Sequence, residues 1–190
     1  MVRLLGDLKA SSMNADELQE LMKAAFYSVT LDGGMSIRQG EVCDNYGTDN
    51  EGRQVTDADF AAIPRSEITD DWTSIPLAEL ERYPYLAYLD AKGFRYYIPA
   101  FLLSLFEDAQ GTSMRVISTL PSVRPTRDLW LHHMQQYELL SEAQRSAIAT
   151  LLFYLQDYPR LDTSDRHIVS AALQTYWSQY LPSKNEPNAA

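Results

Sequence analysis

The chain of 190 residues is short of most things that would announce a chemistry. It has one cysteine, Cys43, so no internal disulfide can form, and a reducing compartment is expected. It has three histidines, His132, His133 and His167, and no HExxH, CxxC or related spacing, so no metal centre is expected. The neighbours His132 and His133 would leave a helix in different directions and could not readily share an ion. The segment 44–52, DNYGTDNEG, lacks the spacing of a calcium loop. No glycine-rich phosphate loop and no GxSxG elbow is present, and no cofactor is expected. No apolar run approaches the ~20 residues that span a bilayer, and the opening MVRLLGDLKASSM is interrupted by Asp7 and Lys9, unlike a signal sequence. A cytoplasmic protein is the expectation.

Positive charge is also scarce. Sixteen Lys and Arg stand against 26 Asp and Glu, a net charge of -10, with an isoelectric point near 4.7 and a mean hydropathy of -0.30. That balance argues against nucleic acid and against anionic membranes as partners. It is also uneven. From Glu41 to Asp71 nine acids face two bases, so seven of the ten net negative charges lie in that segment. A basic protein would suit it, with Asp44, Asp49 and Glu51 as candidate contacts; a solvated loop that keeps the protein soluble is the plainer reading.

What is present is a regular apolar pattern, with hydrophobic residues at 45% and charged ones at 22%. This suits one globular domain over 1–181, with 34–70 an acidic, irregular segment and 182–190 a polar tail. Asn14, with Glu17 three residues on, opens a helix whose stripe runs through Leu18, Met22 and Phe26. Short helical turns are expected at 41–45 and 57–62. Pro76 suits the first turn of a short helix through Leu77 and Leu80 that stops before Pro84. Leu129 to Tyr137 has the spacing of another short helix. Ser141 with Gln144 opens a helix to Leu155, and Asp162 or Thr163 opens the last one.

Between these lies YLAYLDAKGFRYYIPAFLL, Tyr85 to Leu103. YLAYL and FRYYI are short, aromatic and apolar, and DAKG between them carries a turn signal, which predicts an antiparallel β-hairpin. Pro99 then opens a buried helix over 100–109, and MRVIST, 114–119, reads as a further edge strand. The expected fold is therefore α+β but mainly α-helical, five or six helices with one small hairpin. On a strand, Phe94, Tyr96 and Ile98 face the core while Arg95 and Tyr97 share the other face. A fixed guanidinium recognises carboxylates or phosphates. Arg95, Tyr97 and Trp72, with His132, are therefore a second candidate site, for a small ligand or substrate. An internal partner for Arg95, such as Asp70 or Asp71, is the structural alternative.

Four stretches, DW at 71–72, IPLAELE at 75–81, the phrase at 85–103 and LLSEAQRSAIATLLFYL at 139–155, together resemble a bacterial family of unknown function. In that family a phrase of the type GfRyYlPAyl precedes a TpeQr-type helix. The resemblance covers roughly residues 20 to 157. It implies that 93–100 is a family core phrase, and it transfers no catalytic role. Small acidic proteins of this kind include immunity and other interaction proteins, by analogy. The concentration of seven charges and the absence of catalytic motifs make a non-enzymatic binding module the leading expectation. A ligand-binding or enzymatic pocket around Arg95 is one alternative, and a homo-oligomer joined through exposed aromatics is another.

Overall fold

The computed structural model describes residues 13–63, 70–107 and 113–182. Nine α-helices are present among them: α1 (Ala15–Ala25), α2 (Ile37–Asp44), α3 (Asp57–Ala62), α4 (Leu77–Arg82), α5 (Ala91–Ser104), α6 (Met114–Ser122), α7 (Trp130–Gln136), α8 (Glu142–Leu155) and α9 (Thr163–Thr175). Single 3-10 turns lie at Trp72–Ser74, Leu86–Tyr88 and Trp177–Tyr180. No β-strand occurs among the described residues, and one isolated bridge joins Thr48 to Gln54. The expected α+β class and its hairpin are thus overturned. The expected polar tail, apart from its first residue, and the last part of the 100–109 helix lie outside the described residues.

The hairpin fails at its supposed turn. Asp90 is the N-cap of α5, and its Oδ1 accepts from the Gly93 N–H at 2.8 Å and from the Met35 N–H at 3.0 Å. Gly93 is there for a close approach and does not mark a turn, because a Cβ would stand 2.2 Å from the Met35 carbonyl oxygen. Phe94, Ile98, Phe101, Leu102 and Leu105 then fall at helical spacing and are all fully buried. Pro99 lies inside this helix instead of opening it. It lacks the N–H that would bond the carbonyl four residues back, a loss the packing around it offsets. Nearly every residue of α5 is buried, so an alternation of period two and one of 3.6 fit the sequence equally well.

The second expected strand, 114–119, is helix α6. Its first turn is capped from another element. Glu81 of α4 accepts from the Met114 N–H at 3.0 Å, the Ser113 hydroxyl at 2.8 Å and Arg115 Nε at 2.8 Å. Arg115 is buried, and its Nη1 also donates to the Ser104 carbonyl at 2.6 Å. Burial would raise the Glu81 carboxyl, but these donors outweigh it and hold the group below its ordinary value.

Helices α5 and α8 are the two centres of packing. α8 lies against α1, α9 and the Trp177 turn, while α5 lies against α1, α6, α7 and the Trp72 turn. Tyr137, Tyr176 and Trp177 stack in one aromatic cluster, with Tyr137 and Trp177 rings 4.9 Å apart. Capping boxes at Asn14 and Ser141 start α1 and α8 as expected, and Asp162 caps α9.

Candidate functional site

Two capped helices and a turn make up residues 36–63 of the acidic segment. Ser36 and Gln39 form a capping box that starts α2, earlier than the expected turn at 41–45, and Thr56 and Asp59 form one that starts α3 over the expected 57–62. Gln39 Nε2 donates to the Phe60 carbonyl at 3.0 Å and so ties the two helices together. Between them the chain turns back through the Thr48–Gln54 bridge. The turn is organised by Asp49, which accepts from the Glu51 N–H at 2.9 Å, the Arg53 N–H at 2.9 Å and Arg53 Nε at 2.8 Å. The backbone and side-chain donors of Arg53 hold the Asp49 carboxyl below its ordinary range. Glu51 pairs with Arg53 Nη2 at 3.3 Å on the exposed side.

These elements enclose an open cleft of ≈ 710 Å³ whose walls include Glu41, Asp49, Asp59, Arg38, Arg53 and Tyr83. Arg38 reaches Glu79 at 3.3 Å and lies with its guanidinium 5.4 Å from the centre of the Tyr83 ring. Arg82 stands at the same 5.4 Å from that ring. The two faces of α2 have different surroundings. Arg38, Val42 and Asn45 line the cleft, while Gly40 approaches Tyr85 so closely that a Cβ would meet Tyr85 Cβ at 2.8 Å.

Of the candidate residues, Asp44, Asp49 and Glu51 are brought into this one module. Arg95, Tyr97 and Trp72 are not joined in a site. Arg95 and Tyr97 lie on helix α5, where a spacing of two sends side chains to nearly opposite sides, so the shared strand face does not exist. Arg95 is half-buried and its Nε donates to Gln144 Oε1 at 3.2 Å, a link to α8 in place of the expected Asp70 or Asp71. Tyr97 is fully buried, and burial pushes its phenol up. Trp72 is buried too. Its Nε1 donates to the Phe26 carbonyl at 3.1 Å and its ring meets Phe26 edge-on at 6.4 Å. Trp72 borders a second, smaller cleft of ≈ 280 Å³ with Leu80, Leu103 and Lys23. His132 Nε2 lies 2.8 Å from the Ala87 carbonyl oxygen and helps fasten the Leu86–Tyr88 turn, which Gln136 Nε2 also clamps through the Leu89 carbonyl at 3.0 Å.

Among the described residues no group of three His, Cys, Asp or Glu side chains is placed to hold a metal. No described helix is long and apolar enough to cross a membrane. Cys43 is partly buried with Sγ 3.9 Å from Met35 Sδ, and burial raises its thiol. Sequence reasoning missed the tyrosines around α2, namely Tyr46, Tyr83, Tyr85 and Tyr88. The last two had been read as strand residues, and their i, i+3 spacing in a single turn was the available signal.

No curated protein and no solved structure matches the chain. A family match spans residues 14–181, wider than the expected 20–157, and it covers every described helix. The chain belongs to a family of unknown function, DUF6714.

Proposed function

We propose that this chain is a non-enzymatic binding module, regulatory or immunity-type, that engages a basic protein in the bacterial cytoplasm through the face formed by α2, the 45–56 turn and α3. The observation that carries this reading is the concentration of charge. Segment 41–71 holds seven of the ten net negative charges, and within it Glu41, Asp49 and Asp59 converge on one open cleft. A fixed carboxylate array steers a cationic partner and sets its orientation. The test is capture of partners on the immobilised chain at about 20 mM and about 300 mM salt, above and below a Debye length of ~10 Å. A basic protein retained only at low salt, and lost on Glu51→Lys with Asp57→Lys, is the expected result. A complex indifferent to both salt and charge reversal overturns it.

A second reading, a homo-oligomer, has one observation in its favour. Leu129, Trp130 and Leu131 at the start of α7 are 53%, 42% and 70% exposed. Light scattering of the wild type against Leu131→Glu tests it: a dimer that the substitution splits supports this reading, and a monomer in both removes it.

A further inference from the structure

The cleft face of α2 is served by its own arginines, but the opposite face is not. Gly40 brings α2 against the Leu86–Tyr88 turn, and this sets Asp44 beside Tyr85 and Tyr88, with Glu41 at the border between this side and the cleft. Tyr85 and Tyr88 meet edge-on at 6.5 Å. The Asp44 carboxylate beside the Tyr88 hydroxyl holds that phenol up at about 12. The Tyr85 phenol is raised by burial and then by Glu41 and Asp44. Tyr46, two residues beyond Asp44, is near enough to Tyr88 to perturb it, and is 93% exposed. Tyr88 is 43% exposed.

Tyr83 shows what the neighbouring rings lack. It has two guanidinium groups, Arg38 and Arg82, each 5.4 Å from its centre. Among the described residues no cation stands over Tyr46, Tyr85 or Tyr88, and neither Glu41 nor Asp44 has an ion-pair partner. Asp49 and Glu51, by contrast, are satisfied by Arg53. Electron-rich ring faces next to unpaired carboxylates complement a planar, weakly hydrated cation better than a compact ammonium.

We infer that Tyr46, Tyr85 and Tyr88, with Glu41 and Asp44, form the recognition point for an arginine side chain of the basic partner. The inference rests on the binding-module reading above and narrows it: the face as a whole attracts the partner, and this patch selects arginine. The partner's guanidinium stacks on Tyr46 and Tyr88 while its N–H groups donate to Asp44 and Glu41.

The test is fluorescence anisotropy with labelled nona-arginine and nona-lysine peptides at about 20 mM salt, on the full chain. Tyr46→Gly removes the exposed ring at a position where Tyr46 has φ 55, which glycine tolerates well, and Asp44→Asn keeps a hydrogen-bond acceptor for Tyr88. Melting temperatures verify folding. Each substitution is expected to weaken nona-arginine binding by roughly tenfold, and the wild type to prefer arginine over lysine by about fivefold. Nona-arginine affinity unchanged in both variants overturns the inference. If that affinity falls instead with Glu51→Gln and Asp57→Asn, the binding-module reading stands without this patch. Equal affinity for the two peptides removes the arginine selectivity. No binding by the wild type overturns both readings.

Discussion

From Gly93 to Ser104 every residue except Arg95 and Leu103 is buried, whereas from Asp57 to Ala62 none is. The two helices begin alike, with a side-chain oxygen accepting from the third residue's N–H. They differ in what holds them afterwards. Helix α5 is held by packed apolar surface, worth roughly 25 cal/mol per Å² removed from water. Helix α3 is held by its capping box and by Gln39 reaching the Phe60 carbonyl. A shape made by packing responds to lost volume, and a shape made by a few polar bonds responds to single atoms. The acidic face therefore depends on the core for its position and on its own hydrogen bonds for its detail.

Substitutions separate the two kinds of support. Phe101 is fully buried in α5, so Phe101→Ala should cost about 3–5 kcal/mol in denaturant unfolding, and a loss under 1 kcal/mol would contradict the core assigned here. Glu81→Ala leaves the Met114 N–H and Arg115 Nε without their acceptor and should cost roughly 2 kcal/mol. Glu81→Gln keeps one acceptor oxygen and should recover part of the loss.

Acid supplies a third probe. His133 is buried in α7, and burial, with His132 beside it, lowers its pKa to about 4 from an ordinary 6.5. The unfolded chain therefore binds a proton on this residue at higher pH than the folded chain does. Stability should rise with pH between about 4 and 6.5 and fall as pH drops through that window. A His133→Gln variant should flatten this part of a melting-temperature profile; an unchanged slope would place the acid sensitivity elsewhere.

Within the module, Ser36→Ala breaks the α2 box and should cost about 1 kcal/mol, seen as faster amide exchange in α2. Equal acceleration in α5 would mean that the module and the core open together. The smallest effect is expected from Tyr46→Gly, which exchanges an exposed ring in a left-handed conformation for a residue at ease there. It should leave stability unchanged or raise it by up to about 1 kcal/mol.

Much of the helical frame was legible in the sequence because its signals are local. Asn14 with Glu17 and Ser141 with Gln144 write their own helix starts, and the apolar stripe of α8 has the 3.6 period. α5 and α6 were misread for two physical reasons. A helix buried on all sides loses the alternation that tells helix from strand, and the glycine of DAKG serves a neighbour 58 residues away, Met35. The start of α6 is invisible locally because its capping oxygens belong to Glu81. Asp44, Asp49 and Glu51 sit on α2 and the turn after it, and of the three only Asp49 lines the cleft. The tyrosines could not be placed beside α2, since a tertiary contact, with Gly40 close to Tyr85, brings the Leu86–Tyr88 turn to it. Arg95 looked exposed and functional because a strand was assumed; on a helix its neighbour is Gln144.

The Glu81 cap also bears on the order of events in folding. Helices α1, α2, α3 and α8 each carry a capping box within their first turn and can flicker into helix alone. Ser113 gives α6 no such start, and the acceptors that it needs lie 32 to 34 residues earlier. Nucleating nine residues of helix is unfavourable without help. Closing that loop first is an added entropic step. α6 should therefore form late, after α4 is seated, with native contacts largely absent at the rate-limiting barrier, and a peptide spanning 113–122 should be unstructured by circular dichroism.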